Sequence, residues 1–227
     1  MNDSIPTLYH CLTARSFRVL WTLEELQRPY ALKVLPFPPR LFQREYLEVN
    51  ALGTIPAFFD GDVRMTESAA ICQYLATRHG PTPLAVGVEE ADYGAWLNAL
   101  HFGEATLTFP QTLVLRYSRL EPPARRNPQA ALDYQKWFLA RLRAVEAWFA
   151  REFLCAGRFT VADVSVAYAL LLAEHLGLRE ELPAAASAYL DRMKQREGFQ
   201  RARAAEETAA TAAGISTDVA AMFQPRD

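Results

Sequence analysis

Hydrophobic positions in the first part of the chain follow two different spacings. Residues 5–10 form a short apolar-rich run, which predicts a β-strand. Residues 17–27 carry apolar side chains at helical spacing, and Pro29 ends that pattern before a second apolar run at residues 31–35. A strand, a helix and a strand within about 30 residues predict a right-handed βαβ unit with a parallel strand pair.

A proline-led stretch follows this unit and ends at the start of another helix. Pro56 forces Ile55 into an extended conformation, and the apolar run after it is typical of a short strand. Asp60-Gly61 is a two-residue hairpin signal that tolerates positive φ. Thr66-Glu67-Ser68 supplies side chains typical of a helix N-terminus. The strands predicted in this stretch lie at residues 57–59 and 63–65, and the helices at residues 41–49 and 67–79.

Strand-like alternation is confined to residues 1–80. The order of predicted elements there, βαβ-α-ββα, is a thioredoxin-like α/β arrangement. Residues 81–87 begin with Pro-Thr-Pro and predict a linker. Residues 88–227 are largely helical in character, so we expect an all-α second domain.

Two patterns indicate how the second domain is built. Residues 130–153 predict one long amphipathic helix, which Gly157 follows as a breaker. Thr160 and Asp163 have the spacing of a capping box, with Asp in place of the usual Glu or Gln. The second pattern predicts a well-capped buried helix rather than a catalytic site.

Composition excludes several classes of protein. The 227 residues are 51% hydrophobic, enough for a sizeable core, and the net charge of −2 gives no reason to expect nucleic acid. The chain start lacks the basic and apolar regions of a signal peptide, and no later apolar run is long enough to span a bilayer. Three cysteines without C-x-x-C spacing fit a reducing compartment, and the histidines lack metal-ligand spacing. We therefore expect a cytoplasmic protein with no metal, membrane or nucleic-acid partner.

The Ile55–Pro56 peptide allows two interpretations. If it is cis, the backbone N–H and C=O of Ile55 are free to pair with an extended ligand. The next helix start would attract a carboxylate, and Glu67 would accept from an ammonium group, so a small peptide with a free α-amino acid end fits. If it is trans, as in about nineteen of twenty X–Pro bonds, the stretch is a proline-bearing loop and a surface hairpin.

A longer motif in the same stretch resembles a known family. Residues 50–71 read N-x-x-G-x-I-P-A-F-x-D-G-D-x-x-x-x-E-S-x-A-I. This pattern is similar to the glutathione-binding segment of cytosolic glutathione transferases, with features of the Phi, Beta and other bacterial classes. The resemblance covers residues 7–205, including the Phe-Thr-x-Ala-Asp segment of the capping box.

The resemblance implies specific roles at the matching positions. Pro56 is expected to be cis, and Ile55 is expected to pair with the cysteinyl backbone of glutathione. Glu67 and Ser68 are expected to hold its γ-glutamyl end. Thr54 stands where several classes place a Gln that also touches glutathione.

The reaction of this family needs the glutathione thiolate. A thiol of pKa near 8.5 is only a few per cent ionised at about neutral pH. One hydrogen bond to the charged form, about 1.5–3 kcal/mol, lowers that pKa by about one to two units. We expect the donor in residues 11–16, between the first strand and the first helix, because the helix start adds a favourable field.

Several residues of that loop are candidates. Thr13 aligns with the catalytic Ser of Phi, Tau and Zeta members, although a turn-stabilising Thr is an equal interpretation. Ser16 is a second candidate donor, with a helix-capping role as its alternative. Arg15 stands where Beta members carry Cys, and we expect it to interact with the sulfur or a substrate anion. Cys11 is either a nucleophile for a disulfide reaction or a small buried hydrophobe. A backbone N–H is the other candidate donor.

Residues outside the loop complete the expected binding set. Arg40 and Arg44 are candidates for the glycine carboxylate of glutathione, with solvated surface arginines as the alternative. Trp96-Leu97-Asn98 resembles a Beta-class segment whose Asn reaches glutathione from the neighbouring subunit, so Asn98 is assigned that role and a homodimer is implied.

The resemblance and the residues together predict a glutathione transferase of bacterial type. Glutathione would be the co-substrate, with an electrophilic small molecule entering between the domains. Two alternatives stay open: a glutathione-dependent peroxidase or disulfide reductase using the same site, and a non-catalytic glutathione-binding protein.

Overall fold

The computed structural model describes residues 5–78 and 80–218, which form two compact units. The first unit contains the described residues up to Ala85 together with residues 195–218, and the second contains residues 86–194. The helical character of residues 88–227 predicts one domain, whereas the contacts of residues 195–218 place them in the first unit.

A four-stranded sheet forms the centre of the first unit. Its order is β2 (Ala31–Val34), β1 (Thr7–His10), β3 (Ala57–Asp60) and β4 (Val63–Met65), with β1 and β2 parallel and the other pairs antiparallel. This topology confirms the thioredoxin-like prediction. The elements of the unit are β1 (Thr7–His10), α1 (Ser16–Glu25), β2 (Ala31–Val34), α2 (Pro39–Phe42), α3 (Tyr46–Val49), β3 (Ala57–Asp60), β4 (Val63–Met65), α4 (Ser68–Thr77) and α10 (Glu197–Ala212).

The predicted helix at residues 41–49 is replaced by the two short helices α2 and α3. Pro39 occupies the first turn of α2, where its missing N–H is tolerated. Gln43 then leaves the helical region, with φ −146° and ψ 78°, and ends α2. Helix α4 covers most of the helix predicted at residues 67–79; residue 79 lies outside the described part.

Helix α10 joins the first unit because it covers α1. Phe199 makes edge-to-face contacts with Phe17 and Trp21, at ring-centroid distances of 5.3 and 5.1 Å. Arg196 donates to both carboxylate oxygens of Glu25, at 2.8 and 2.9 Å. Since α1 also contacts α4 and β1, it is covered on more than one side, and every residue from Ser16 to Leu23 is buried.

The second unit is built from helices, as predicted for an all-α domain. π-helical segments at Phe102–Thr108 and Arg116–Leu120 flank the helix at Phe109–Leu115, and 3₁₀ turns occur at Pro123–Arg125, Glu146–Ala150 and Arg179–Glu181. Its α-helices are α5 (Tyr93–His101), α6 (Phe109–Leu115), α7 (Pro128–Ala144), α8 (Val161–His175) and α9 (Ala184–Lys194).

Helix α8 is the core of the second unit and is buried from Val161 to Ala173. The predicted capping box at its start is present: Thr160 accepts from the N–H of Ala162, and Asp163 accepts from the N–H of Thr160 at 2.9 Å. Gly103 lets the preceding π-helical segment approach α8 closely. A Cβ at Gly103 would lie 2.4 Å from Ser165 Oγ and 2.6 Å from its carbonyl carbon.

The long helix predicted at residues 130–153 ends early. α7 stops at Ala144, because Val145 adopts φ −113° and ψ 17° and starts a 3₁₀ turn. That turn directs Phe149 into the core, where its ring lies 5.4 Å from that of Tyr189. The amphipathic spacing continues past the end of the α-helix, so spacing alone did not locate the end. Nowhere in the described residues is there a helix with the length and apolar character to cross a bilayer.

Candidate functional site

The register of β1 and β3 brings two of the predicted segments together. Tyr9 pairs with Ala57 in an antiparallel ladder, so the chain leaving β1 runs beside the chain entering β3. Cys11 and Ala57 belong to one buried cluster, against which Ile55 packs. The loop at residues 11–16 and the Ile55–Pro56 peptide therefore lie at the same edge of the sheet.

The Ile55–Pro56 peptide is cis, as the resemblance implies. Among the described residues, the N–H and C=O of Ile55 make no hydrogen bond. The neighbouring carbonyl of Thr54 is already occupied, since it accepts from Tyr46 Oη at 2.6 Å and from Asn50 Nδ2 at 2.8 Å. Burial raises the pKa of Tyr46 to about 12, so this donor stays neutral. The loop thus presents one backbone donor and one backbone acceptor on a fixed support.

The same short loop depends on Gly53. Its φ of 61° lies in the left-handed region, and a Cβ there would lie 2.9 Å from Arg40 Cβ. Asn50 closes the turn by accepting from the N–H of Leu52 at 3.1 Å. Arg40 is exposed beside this loop, so the predicted Arg40 lies close to the cis-proline segment.

The start of α4 supplies the next two predicted residues. Glu67 is exposed at the N-cap position, with no hydrogen bond from its side chain to the helix N-terminus. Ser68 is buried, and its hydroxyl oxygen accepts from Nη1 of Arg18 at 3.2 Å. Arg18 is itself fully buried on α1, so the start of α4 is attached to the first helix close to the loop at residues 11–16. The helix start carries a partial positive charge that favours an anion.

Within the loop, Thr13 and Ser16 have different surroundings. Thr13 has φ 58°, a left-handed conformation that is unusual for a β-branched residue. Ser16 is fully buried, and its Oγ accepts from the N–H of Cys11 at 3.3 Å and lies 3.5 Å from the Cys11 carbonyl. The Ser16 hydroxyl therefore closes the loop onto the end of β1. Arg15 is half-buried at the N-cap of α1.

A residue that the sequence analysis did not select supports this loop. Glu206 of α10 accepts from the backbone N–H of Thr13 at 3.3 Å, through the same Oε2 atom that lies 2.9 Å from His10 Nε2. Arg203 bonds to the other carboxylate oxygen. The only local signal in the sequence was an acidic residue in an alanine-rich helix, which ordinarily indicates a solvated surface.

The cysteines are all buried and unpaired. Cys11 is fully buried, and desolvation raises the pKa of its thiol far above the usual range. Burial likewise raises the pKa of Cys72 and of Cys155 to about 11. A neutral buried thiol is a poor nucleophile, so the structure favours the interpretation of Cys11 as a small core residue.

Asn98 is the predicted residue that lies in the second unit, where it is exposed on α5. Its predicted contact with glutathione would come from another subunit. Among residues 5–78 and 80–218, no group of three or more His, Cys, Asp or Glu side chains is arranged to hold a metal ion.

Sequence comparison places the first unit in a known family. A profile for the glutathione S-transferase N-terminal domain matches residues 14–78. Glutathione S-transferase 3 of Schizosaccharomyces pombe is 37% identical over 103 residues, a match that covers 44% of this chain and 41% of that relative's length. Glutathione S-transferase GstA of Escherichia coli O157:H7 is 30% identical over 170 residues, which cover 71% of this chain and 78% of GstA.

Structural comparison extends the likeness over both units. Glutathione transferase URE2P6 of Phanerochaete chrysosporium, solved with oxidized glutathione, is similar with a TM-score of 0.78 and 25% identity. The match covers 91% of this chain and 98% of that one. The sequence match to GstA and the match of the whole fold agree, and the chain belongs to the glutathione S-transferase family.

Proposed function

We propose that the edge of the sheet formed by residues 11–16, Ile55–Pro56 and the start of α4 binds glutathione and activates its thiol for attack on an electrophile. The observation that carries the proposal is the pair of backbone groups on Ile55 that bond to no other described group, next to a helix start. An extended tripeptide would pair with Ile55 as an added strand does. Family membership supports the transfer reaction itself.

Each end of glutathione finds a complementary group in this arrangement. The γ-glutamyl carboxylate would lie at the start of α4 near Ser68, and its ammonium group near the exposed Glu67. The glycine carboxylate would face Arg40, which is exposed beside the cis-proline loop. The backbone of Thr54 would border the bound glutathione. Its carbonyl would not bond to glutathione, because it already accepts from Tyr46 and Asn50.

Thiol activation is assigned to the loop at residues 11–16, with Thr13 as the donor. Ser16 is the second candidate, and its buried hydroxyl bonds to the backbone of Cys11. Arg15 at the N-cap of α1 would add a positive charge near the sulfur, in the same sense as the field of the helix start. A disulfide reductase that uses Cys11 as its nucleophile is disfavoured by the burial of that thiol.

Glutathione is expected to stabilise the protein, and Glu67→Ala to weaken binding about tenfold or more. At a hundredfold excess over Kd, ligand binding adds about 2.7 kcal/mol to the free energy of unfolding. Losing one charge-assisted hydrogen bond costs about 1.5–3 kcal/mol of binding, while the exposed Glu67 contributes little to the stability of the free protein. Isothermal titration calorimetry and thermal melts measure the two quantities.

Glu197→Ala is the matched control, since Glu197 is an exposed glutamate of the same unit on α10. It should bind glutathione as the unmodified protein does. Absence of both binding heat and a melting shift at millimolar glutathione would overturn the proposed function.

We further propose that the protein is a cytoplasmic homodimer and that it detoxifies electrophiles. Three buried, unpaired cysteines fit a reducing compartment. Four large apolar side chains are exposed on α2, α3 and the loop before the cis-proline, and a partner subunit would cover them. They are Leu41, Phe42, Leu47 and Leu52. In such a dimer Asn98 would reach glutathione in the neighbouring subunit.

Light scattering at micromolar concentration should therefore report about twice the 25.5 kDa chain mass. Leu52→Asp should shift the mass toward the monomer, because it places a charge on the apolar surface. Val88→Asp is the control, since Val88 is 68% exposed and Leu52 is 66% exposed. A monomeric unmodified protein would contradict the dimer and remove the role of Asn98.

A further inference from the structure

Thr13 occupies a backbone conformation that its surroundings must enforce. A β-branched residue with positive φ is a genuine outlier, and such a conformation persists only where the surrounding structure enforces it. Thr13 has φ 58° and is 2% exposed. The direction of its hydroxyl follows from this backbone conformation, because branching at Cβ leaves few rotamers for χ1.

The Glu206 carboxylate is one of the groups that enforce this conformation. Its Oε2 accepts from the backbone N–H of Thr13 at 3.3 Å and lies 2.9 Å from His10 Nε2, at the end of β1. Its Oε1 bonds to Arg203, one turn earlier on α10. The Glu206 and His10 side chains are both fully buried. Since both oxygens have partners, the carboxylate is fixed relative to the sheet and to α10.

We propose that Glu206 is a positioning residue for thiol activation, which holds Thr13 in the conformation in which its hydroxyl donates to the glutathione sulfur. The inference rests on the proposed function, because it presumes that Thr13 is the donor. It assigns a role in the reaction to α10, a helix whose Glu206 lies 193 residues away in sequence from Thr13.

The direction in which the pKa of the bound thiol shifts when Glu206 is replaced distinguishes a positioning role from a direct electrostatic role. A negative charge near the sulfur disfavours the thiolate, so removing that charge would by itself lower the pKa of the bound thiol. Loss of positioning weakens the hydrogen bond from Thr13 to the thiolate and raises the same pKa. The two explanations therefore predict opposite shifts.

Glu206→Met tests the proposal, since methionine has a similar length but cannot accept the Thr13 N–H. We expect the pKa of bound glutathione, measured by ultraviolet titration of the thiolate, to rise by at least about half a unit. Thiolate at pH well below that pKa should fall about threefold and kcat about twofold, because the more basic thiolate is more nucleophilic, while the Kd for glutathione should change less than about twofold.

Glu207→Met is the matched control, because Glu207 is the next residue of α10, pairs with the same Arg203 at 3.2 Å and is 53% exposed. It should leave the thiol pKa unchanged. In a Thr13→Val background there is no hydroxyl to position, so Glu206→Met should no longer raise the pKa. If Glu206→Met does not fold, Glu206→Asp keeps the charge but withdraws the oxygens, and it should give the same shift with the same dependence on Thr13.

The outcomes separate the inference from the proposed function. An unchanged or lowered pKa in the Glu206 variant, while Thr13→Val raises it, overturns the positioning role alone. Equal rises with and without the Thr13→Val substitution also overturn it, because Glu206 would then act without the hydroxyl. If Thr13→Val itself has no effect, the assignment of Thr13 as donor fails as well, and absence of glutathione binding by the unmodified protein would overturn the site as a whole.

Discussion

Thr13→Val is expected to raise the pKa of bound glutathione by about one unit or more. The substitution removes the hydroxyl and keeps the branched shape, so it deletes a hydrogen bond that favours the charged form of the thiol. The Kd of glutathione should change little, because the proposed contacts with Ile55, Glu67 and Ser68 remain. Ultraviolet titration of the bound thiolate measures the pKa directly.

The turnover rate should fall with the fraction of bound thiolate, but by less than that fraction does. One unit of pKa reduces the thiolate about tenfold at pH below the pKa, while the more basic thiolate is intrinsically about threefold more nucleophilic. We therefore expect turnover of a general electrophile at about pH 6 to fall about three- to tenfold.

Two variants complete this test. Thr13→Ser keeps the hydroxyl and should preserve both the pKa and the rate. Thr77→Val makes the same chemical change at an exposed position near the end of α4, where the hydroxyl donates only to the carbonyl of Gln73, and it should change neither. If Thr13→Val leaves the thiolate pKa unchanged, the donor is instead Ser16 or a backbone N–H of the loop.

Asp163→Ala is expected to lower the free energy of unfolding of the second unit by about 3 kcal/mol or more. The buried carboxylate accepts from the N–H of Leu154 at 2.9 Å and from Tyr189 Oη at 2.8 Å. It also accepts from the N–H and the hydroxyl of Thr160, at 2.9 and 3.1 Å. Alanine would leave these donors buried without an acceptor, and each unpaired buried group costs about 1–3 kcal/mol.

Urea denaturation of the full chain, followed by far-ultraviolet circular dichroism, measures this loss. Asp163→Asn keeps one acceptor oxygen and should give an intermediate effect. Asp133→Ala is the control, because Asp133 is exposed on α7, and it should change stability by less than about 0.5 kcal/mol. An Asp163→Ala variant as stable as that control would mean that the capping network contributes nothing to the unit.

The extent to which the sequence predicts the site differs from residue to residue. The turn before Pro56 was predictable because Asn50, Gly53 and Pro56 act on the backbone within a few residues of themselves, whereas the cis state of the Ile55–Pro56 peptide was implied only by the family resemblance. Ser16 was a second candidate donor with a helix-capping role as its alternative, and in the structure its hydroxyl oxygen accepts from the N–H of Cys11. That bond depends on how the loop folds back onto β1, which residue spacing does not specify.

The roles expected of Ile55, Glu67 and Ser68 came from the resemblance of their motif to a known family. Local patterns in the sequence predicted the order of the elements and the capping box of α8. These features are encoded by periodicity, turn chemistry and short-range spacing, which act within one or two turns of the chain.

The position of α10 and the contacts of Glu206 depend on tertiary packing. An alanine-rich amphipathic helix shows that one of its faces is buried but does not show which surface buries it. Aromatic packing of Phe199 on α1 settles that position, and it carries Glu206 to within hydrogen-bond distance of His10 and the Thr13 N–H. Contacts between residues nearly two hundred positions apart depend on the packing of whole elements, which no local pattern encodes.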